Sequence, residues 1–385
     1  MYQPKFTITN KILKDIGRIE AAREVIENAP LVPAYEAKFR QEAIIRTVHH
    51  GTHIEGNPLD TGEVKAVLAA GPEDLWPGGK RQILPDAKDR DIQEILNYRN
   101  VLKYIDKTPN SLRRQSSGAS VTKLPALPAG RQTPSISQKD LLAIHKLTVE
   151  RVLSYKQAGK YRKTQVVVKN FKTHQVSFVP PKANIVVSLT GDFFDWLNSQ
   201  ESESIHPVLI AGITHYVLVY IHPFVDGNGR AARALASMVL FRRGYDIKKF
   251  FSLEEYFDRD AHHYYKTLQA VSNQKVDLLS DRDLTVWLEY FCEGLADELV
   301  RVKEKVQKLS LDIRLKGKTG QIVLSERQVK IVEYIETYGS ISNRQWRGLL
   351  REYSDDTILR DLKDLQKKGL IRKRGSTKGA VYVLK

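Results

Sequence analysis

IHPFVDGNGRAARALASMVLFRRG, residues 221–244, decides how the rest of the chain is read. Tyr216 to Ile221, just before it, are apolar and end a buried helix. His222 follows, and Pro223 pushes the chain out of helix. Asp226 comes four residues after His222. Gly227-Asn228-Gly229 forms a tight turn whose glycines accept positive φ. It runs straight into a helix carrying Arg230 and Arg233.

A Gly-rich turn at a helix N-terminus exposes backbone N–H groups in a concave nest, which binds phosphate. Arg230 and Arg233, three apart, share a helix face and can add charge-assisted bonds to further phosphates. Asp226 beside the nest is a natural Mg²⁺ ligand that bridges to phosphate oxygens. The His222 imidazole can take a proton from an incoming hydroxyl near neutral pH. Together these parts describe phosphoryl or nucleotidyl transfer from a nucleoside triphosphate.

Upstream, QVVVKNFKTHQVSFVPP reads as a β-hairpin, two β-branched runs around a polar turn at about 165–180. Residues 1–106 read as helices, with apolar residues three and four apart in IGRIEAAREVIENA and AYEAKFRQEAIIRTVHH. Residues 107–139, rich in Ser, Pro, Gly and Ala, read as a flexible insertion. Helical pattern resumes at SQKDLLAIHKLTVERVL, with Ser137 as N-cap. It continues through a catalytic core at 140–300, followed by a linker at 301–321.

Residues 322–385 read as a separate module. Ser325 and Gln328 form a capping-box pattern, Gly339 stops that helix, and Ser342 and Ser354 open two more. LIRKR and AVYVL then form a hairpin, so the pattern is a winged helix. Of the net charge of +16, the stretch from Arg301 to Lys385 carries +11, which points to an anionic partner there. Thr357, Arg360 and Lys363 on the third helix, with Arg372, Lys373, Arg374 and Lys378 on the hairpin, suit either DNA or a docked protein. Cys292 is the single cysteine, which excludes a disulfide framework. No apolar run approaches the roughly 18 residues that span a bilayer. A cytoplasmic protein without a membrane partner is expected.

HPFVDGNGRAAR, His222 to Arg233, resembles the signature HPFx(D/E)GNGRxxR of Fic-domain proteins at every specified position. The resemblance implies a mainly α fold: a helical Fic core with a β-hairpin flap, here joined to a C-terminal winged helix. It implies transfer of AMP from ATP, with Mg²⁺, to a Ser, Thr or Tyr hydroxyl of a target protein docked on the flap. His222 would be the general base, Phe224 the anchor of the loop and Asp226 the Mg²⁺ ligand. Gly227, Asn228 and Gly229 would line the phosphate nest, and Arg230 and Arg233 would contact the triphosphate. SLEEYFDRDAHHYYKTL resembles the segment that helps enclose the nucleoside, which implies nucleotide contacts for Asp260, Tyr264 and Tyr265, with Leu268 also matching.

GTHIEGN, Gly51 to Asn57, resembles the family's inhibitory motif (S/T)xxxE(G/N). Glu55 and Gly56 match; Gly51 stands where the family has Ser or Thr, and Thr52 is one place late. The resemblance implies that Glu55 pairs with Arg233 and holds the enzyme in check. Two alternatives stay open: removal of AMP from targets, alone or beside its addition, and a winged-helix DNA-binding regulator whose core senses nucleotide. A homodimer is also left open.

Overall fold

The computed structural model describes residues 2–29, 31, 33–70, 88–107, 135–169, 176–199, 204–316, 324–350, 352–375 and 380–385. Most of the expected insertion therefore lies outside the described residues, as does the tip of the expected flap.

The centre is α7, Pro207–Ile221, whose sequence PVLIAGITHYVLVYI is apolar almost all round and is buried almost all round. Pro207 sits in the first turn, where its missing N–H costs nothing. Before it in the chain stand α1 (Asn10–Glu27), α2 (Pro33–His53), α3 (Thr61–Ala69), α4 (Asp89–Lys107), α5 (Gln138–Thr148) and α6 (Val186–Leu197). After it come α8 (Asn228–Arg242), α9 (Leu253–Arg259), α10 (Ala261–Ser272) and α11 (Thr285–Lys316). The alanine-rich start of α8 lets it pack closely along α7. On another side lies α11, whose Trp287 is fully buried and donates from Nε1 to the Gly212 carbonyl at 2.8 Å. Gly212 is required there, since a Cβ would stand 2.8 Å from Leu288 Cδ2.

The N-terminal helices are part of this core. Ile12, Ile19 and Ile26 recur every seven residues and bury one stripe of α1 against α11. Thr9 bonds Glu289, Lys11 pairs with Glu293 and Arg18 with Asp297, so the two helices run parallel. α11 also continues through most of the expected linker, because Val302 and Val306 extend its buried stripe by a further turn.

The hairpin is short. β1 (Val168–Lys169) and β2 (Val176–Phe178) pair antiparallel with an irregular register, and Phe178 leans on Tyr220 of α7. No described helix is long and apolar enough to cross a membrane.

The C-terminal residues form a second core. Ser325 caps α12 (Glu326–Tyr338) reciprocally with Gln328, and Gly339 ends it at φ 78°. Ser342 caps α13 (Asn343–Leu349), and Ser354 caps α14 (Asp355–Lys367). β4 (Ile371–Arg374) and β5 (Val381–Leu384) form the expected hairpin. The sequence reading did not include β3 (Ile341–Ser342), which pairs with the other side of β5. Ile331, Ile335, Trp346, Leu362 and Tyr382 pack together, and Ala37 from the start of α2 joins them.

Trp287→Ala should lower unfolding stability by about 3–5 kcal/mol through cavity formation and loss of the bond to Gly212, read from the midpoint of urea unfolding.

Candidate active site

The sequence at the end of α7 shapes the site. His222 is the C-cap and holds a left-handed conformation, φ 50° and ψ 61°, that costs a non-glycine residue energy. It persists because both ends are tied down. Arg162, buried, donates from Nε to the His222 carbonyl at 2.8 Å and from its other nitrogens to Thr164 and Pro181 at the base of the hairpin. The Arg162 N–H donates to Pro223 O. The loop after His222 is closed from within: Phe224 N–H donates to Asn228 Oδ1, and Asn228 Nδ2 donates back to Phe224 O, both at 2.9 Å. Asn228 therefore offers the nest its backbone, while its side chain braces the loop.

Phe224 is fully buried and stacks on His145 with ring centroids 3.6 Å apart. Nδ1 of His145 accepts from Gly159 N–H, so Nε2 carries the proton and donates to the Asp226 carbonyl at 3.0 Å. Burial keeps this imidazole neutral by pushing its pKa down to about 4. The same cause acts on His222, whose pKa also falls to about 4. Nδ1 of neutral His222 faces the Val219 carbonyl at 3.3 Å, which places the proton there and leaves Nε2 a free base.

Gly227 has φ 77°, and a Cβ there would stand 2.8 Å from Val149 Cγ1, so both backbone and space demand glycine. The first turn of α8 then presents its N–H groups. A Cβ on Gly229 would overlap Glu55 Oε1, so the Glu55 carboxylate rests directly on the floor of the nest.

Glu55 arrives from the end of α2, where Gly56, at φ 96°, turns the chain away. Arg233 Nη2 donates to Glu55 Oε1 and to the Gly51 carbonyl, both at 2.8 Å. Arg233 is 2% exposed. Burial opposes its charge, but the field of Glu55 outweighs it and holds the guanidinium firmly protonated. Gly51 is explained by its neighbours: a Cβ would stand 2.5 Å from Tyr98 Cε1 and 3.2 Å from Glu254 Cγ. The Tyr98 hydroxyl donates to the buried Glu254 carboxylate. Thr52 does not replace the missing hydroxyl, since it bonds back to Val48 and His49 in its own helix.

Other contacts hold the end of α2. Nδ1 of His50 and Nδ1 of His53 each meet the Asp258 carboxylate, at 2.7 and 2.8 Å. The Tyr265 hydroxyl donates to the Ile54 carbonyl. Tyr264 is buried, bonds His215 and stacks on Phe257. Asp260 caps α10 by accepting from His263 N–H. In this arrangement Asp260 caps the helix start, Tyr264 packs in the core with its hydroxyl in the field of Arg233 and Glu55, and Tyr265 holds the Glu55 segment. Asp260 directly before a helix had a local signal for its capping role. Tyr98, His145, Arg162, Glu254 and Asp258 were missed, because their partners lie far along the chain.

Arg230 and Arg233 present donors suited to an anion. Nε and Nη1 of both are buried without a hydrogen-bond partner, a costly arrangement unless oxygens can meet them. Triphosphate oxygens fit these donors. Asp226, with a side chain 38% exposed, is a suitable carboxylate for Mg²⁺ shared with phosphate. Among the described residues no group of three or more His, Cys, Asp or Glu is placed to hold a metal ion.

A family profile described as Fic/DOC matches residues 135–240. A protein adenylyltransferase Fic of Nematostella vectensis is 28% identical over 263 residues, 67% of this chain and 50% of that protein. One of Drosophila grimshawi is 33% identical over 209 residues, 54% of this chain and 35% of that protein. The chain thus spans half or less of the length of these curated relatives. A crystal structure of a Fic family protein from Desulfovibrio desulfuricans superposes with a TM-score of 0.59 at 22% identity, covering 100% of this chain and 98% of that one. Fic-1 (aa134–508) of C. elegans gives 0.54 at 22% identity, covering 80% of this chain and 74% of that one. The helical fold is theirs.

Gly51→Thr, which installs a residue the inhibitory motif allows, should loosen the end of α2. The added atoms collide with Tyr98, at a cost of about 1–3 kcal/mol. Hydrogen exchange of residues 48–57 should rise in this variant.

Proposed function

With residues 135–240 a Fic/DOC-family domain, we propose that the protein is an adenylyltransferase moving AMP from ATP to a Ser, Thr or Tyr hydroxyl of a target protein. The observation that carries the reading is the pair of buried arginines with unfilled donors beside a glycine nest and a free imidazole nitrogen. Arg230, Arg233 and the N–H groups at Asn228 and Gly229 hold the triphosphate. Asp226 is the residue that would hold Mg²⁺, which when bound neutralises charge on the phosphate oxygens. His222 Nε2 takes the proton from the acceptor hydroxyl. The acceptor oxygen bonds to the α-phosphorus, the bond to the bridging oxygen breaks, and pyrophosphate leaves.

In this reading the target docks on the hairpin by extending its edge as a strand. Arg162 supports that role, because it ties the hairpin base to the carbonyl of His222 and so keeps acceptor and base in register. Residues 151–191 contain eight Lys or Arg and no Asp or Glu, so an acceptor segment with acidic flanks suits them. Glu55 is the brake: it fills the anion place at Arg233 and on Gly229 that the end of the triphosphate needs. The C-terminal module reads as a winged helix, on the strength of three capped helices and a three-stranded sheet.

The test is self-labelling with α-³²P-ATP and Mg²⁺. Glu55→Gly should raise label well above wild type, and adding His222→Ala should lower the rate by about 10²–10⁴. Label in the double variant equal to that in the single would remove His222 as the base. No label in any variant would remove the transferase reading.

The pH profile is a second check. An ordinary imidazole loses basic function below about 6.5, but His222 stays neutral down to about 4. The acid limb of kcat/KM for Glu55→Gly should therefore lie well below pH 6.5. Stability should fall over the same window, because the unfolded chain takes up the proton near 6.5 and the folded chain only near 4.

A further inference from the structure

Glu55 answers for Arg233 but leaves Arg230 unexplained. The Arg230 side chain is 3% exposed, and its nearest carboxylate is Glu94 of α4, with Oε1 3.4 Å from Nη1. Asp226 Oδ1 is next, 3.8 Å from Nη2. Arg90, one turn before Glu94, closes the circuit: Nε donates to Glu94 Oε1 and Nη2 to Asp226 Oδ2, both at 3.2 Å. The other oxygen of Glu94 accepts from Asn57 Nδ2 at 3.3 Å, and the same Asn57 amide donates to Asp91 O. Asn57 lies two residues beyond Glu55, across the Gly56 turn.

Three arginines (90, 230 and 233) and three carboxylates (55, 94 and 226) thus surround the nest, and their formal charges cancel. A site built to attract a polyanion gains from an excess of positive charge. Removing Glu55 alone leaves Glu94 on Arg230, where it opposes the arriving phosphates. Glu94 is itself held by the segment that carries Glu55, through Asn57.

We infer that Glu94 is a second internal counter-ion of the phosphate site. It is a positioning residue, coupled through Asn57 to the Glu55 segment, so that Arg230 and Arg233 are released to nucleotide together. The inference rests on the nucleotide-binding reading of this site and names its regulation.

The chain of contacts predicts how variants should combine. Glu94→Gln keeps the shape and an oxygen for Asn57 but removes the charge facing Arg230. Asn57→Ala leaves every charge in place and unties Glu94, while also removing the bond to Asp91 O and the one from Leu59 N–H. Both should favour nucleotide. Because they act through one carboxylate, Asn57→Ala should add little once Glu94 is neutral.

The experiment is calorimetric titration of the full chain with α,β-methylene-ATP and Mg²⁺, which reads binding without transfer. Glu55→Gly should bind at least about tenfold more tightly than wild type, and Glu94→Gln on the order of fivefold more tightly. Asn57→Ala should tighten binding about as much as Glu94→Gln, and the Asn57→Ala/Glu94→Gln pair should fall short of the product of the singles. Unchanged or weaker binding by Glu94→Gln, with Glu55→Gly still tight, overturns the inference and leaves the transferase reading standing. A fully multiplicative pair also overturns it. If Glu94→Gln does not fold, Asn57→Ala decides: unchanged binding by that variant overturns the coupling. Absence of binding by Glu55→Gly overturns the reading of the phosphate site and this inference with it.

Discussion

The buried guanidinium of Arg233 is the constraint on which the site depends. A charge 2% exposed cannot be left unpaired, since breaking such a pair typically costs about 3–5 kcal/mol. Some anion must always stand beside it. With Glu55 as that anion, α2 has to reach the N-terminus of α8, and the contacts of Gly51, Ile54, His50 and His53 follow from bringing it there. In this structure the chain itself supplies that anion, through Glu55.

Much of this was legible in the sequence because it is local. His222, Pro223 and the Gly227–Gly229 turn lie within eight residues, and their backbone demands show in residue type alone. The caps at Ser325, Ser342 and Ser354 and the stop at Gly339 were readable for the same reason. The hairpin was readable from its β-branched runs, although its described pairing is shorter than the pattern suggested. The chain from Glu94 to Arg230 spans 136 positions, and no local spacing announces it. Asn228 shows a different limit: its place in the turn was clear, but the choice of its side chain for the Phe224 backbone appears only in three dimensions.

The helix that leads to Glu55 belongs to both hydrophobic cores. Ala37 near its start is buried among Ile331, Ile335 and Trp346, and its far end delivers Glu55 to the nest. At about 1.5 Å per residue, Ala37 and His53 at the helix end are roughly 24 Å apart. The stretch between is anchored laterally by Arg46, which pairs with Glu255 and Glu298. The expected linker cannot be wholly loose either, since α11 runs on to Lys316.

The contact between Gly51 and Tyr98 limits the mutational paths open to this chain. A serine or threonine at position 51 needs the space that the Tyr98 ring fills. A smaller residue at position 98 would make that space, but would also take away the hydroxyl that serves the buried carboxylate of Glu254. Either first step is unfavourable, whichever comes first. Positions 51 and 98 are therefore coupled, and a change at one calls for a matching change at the other.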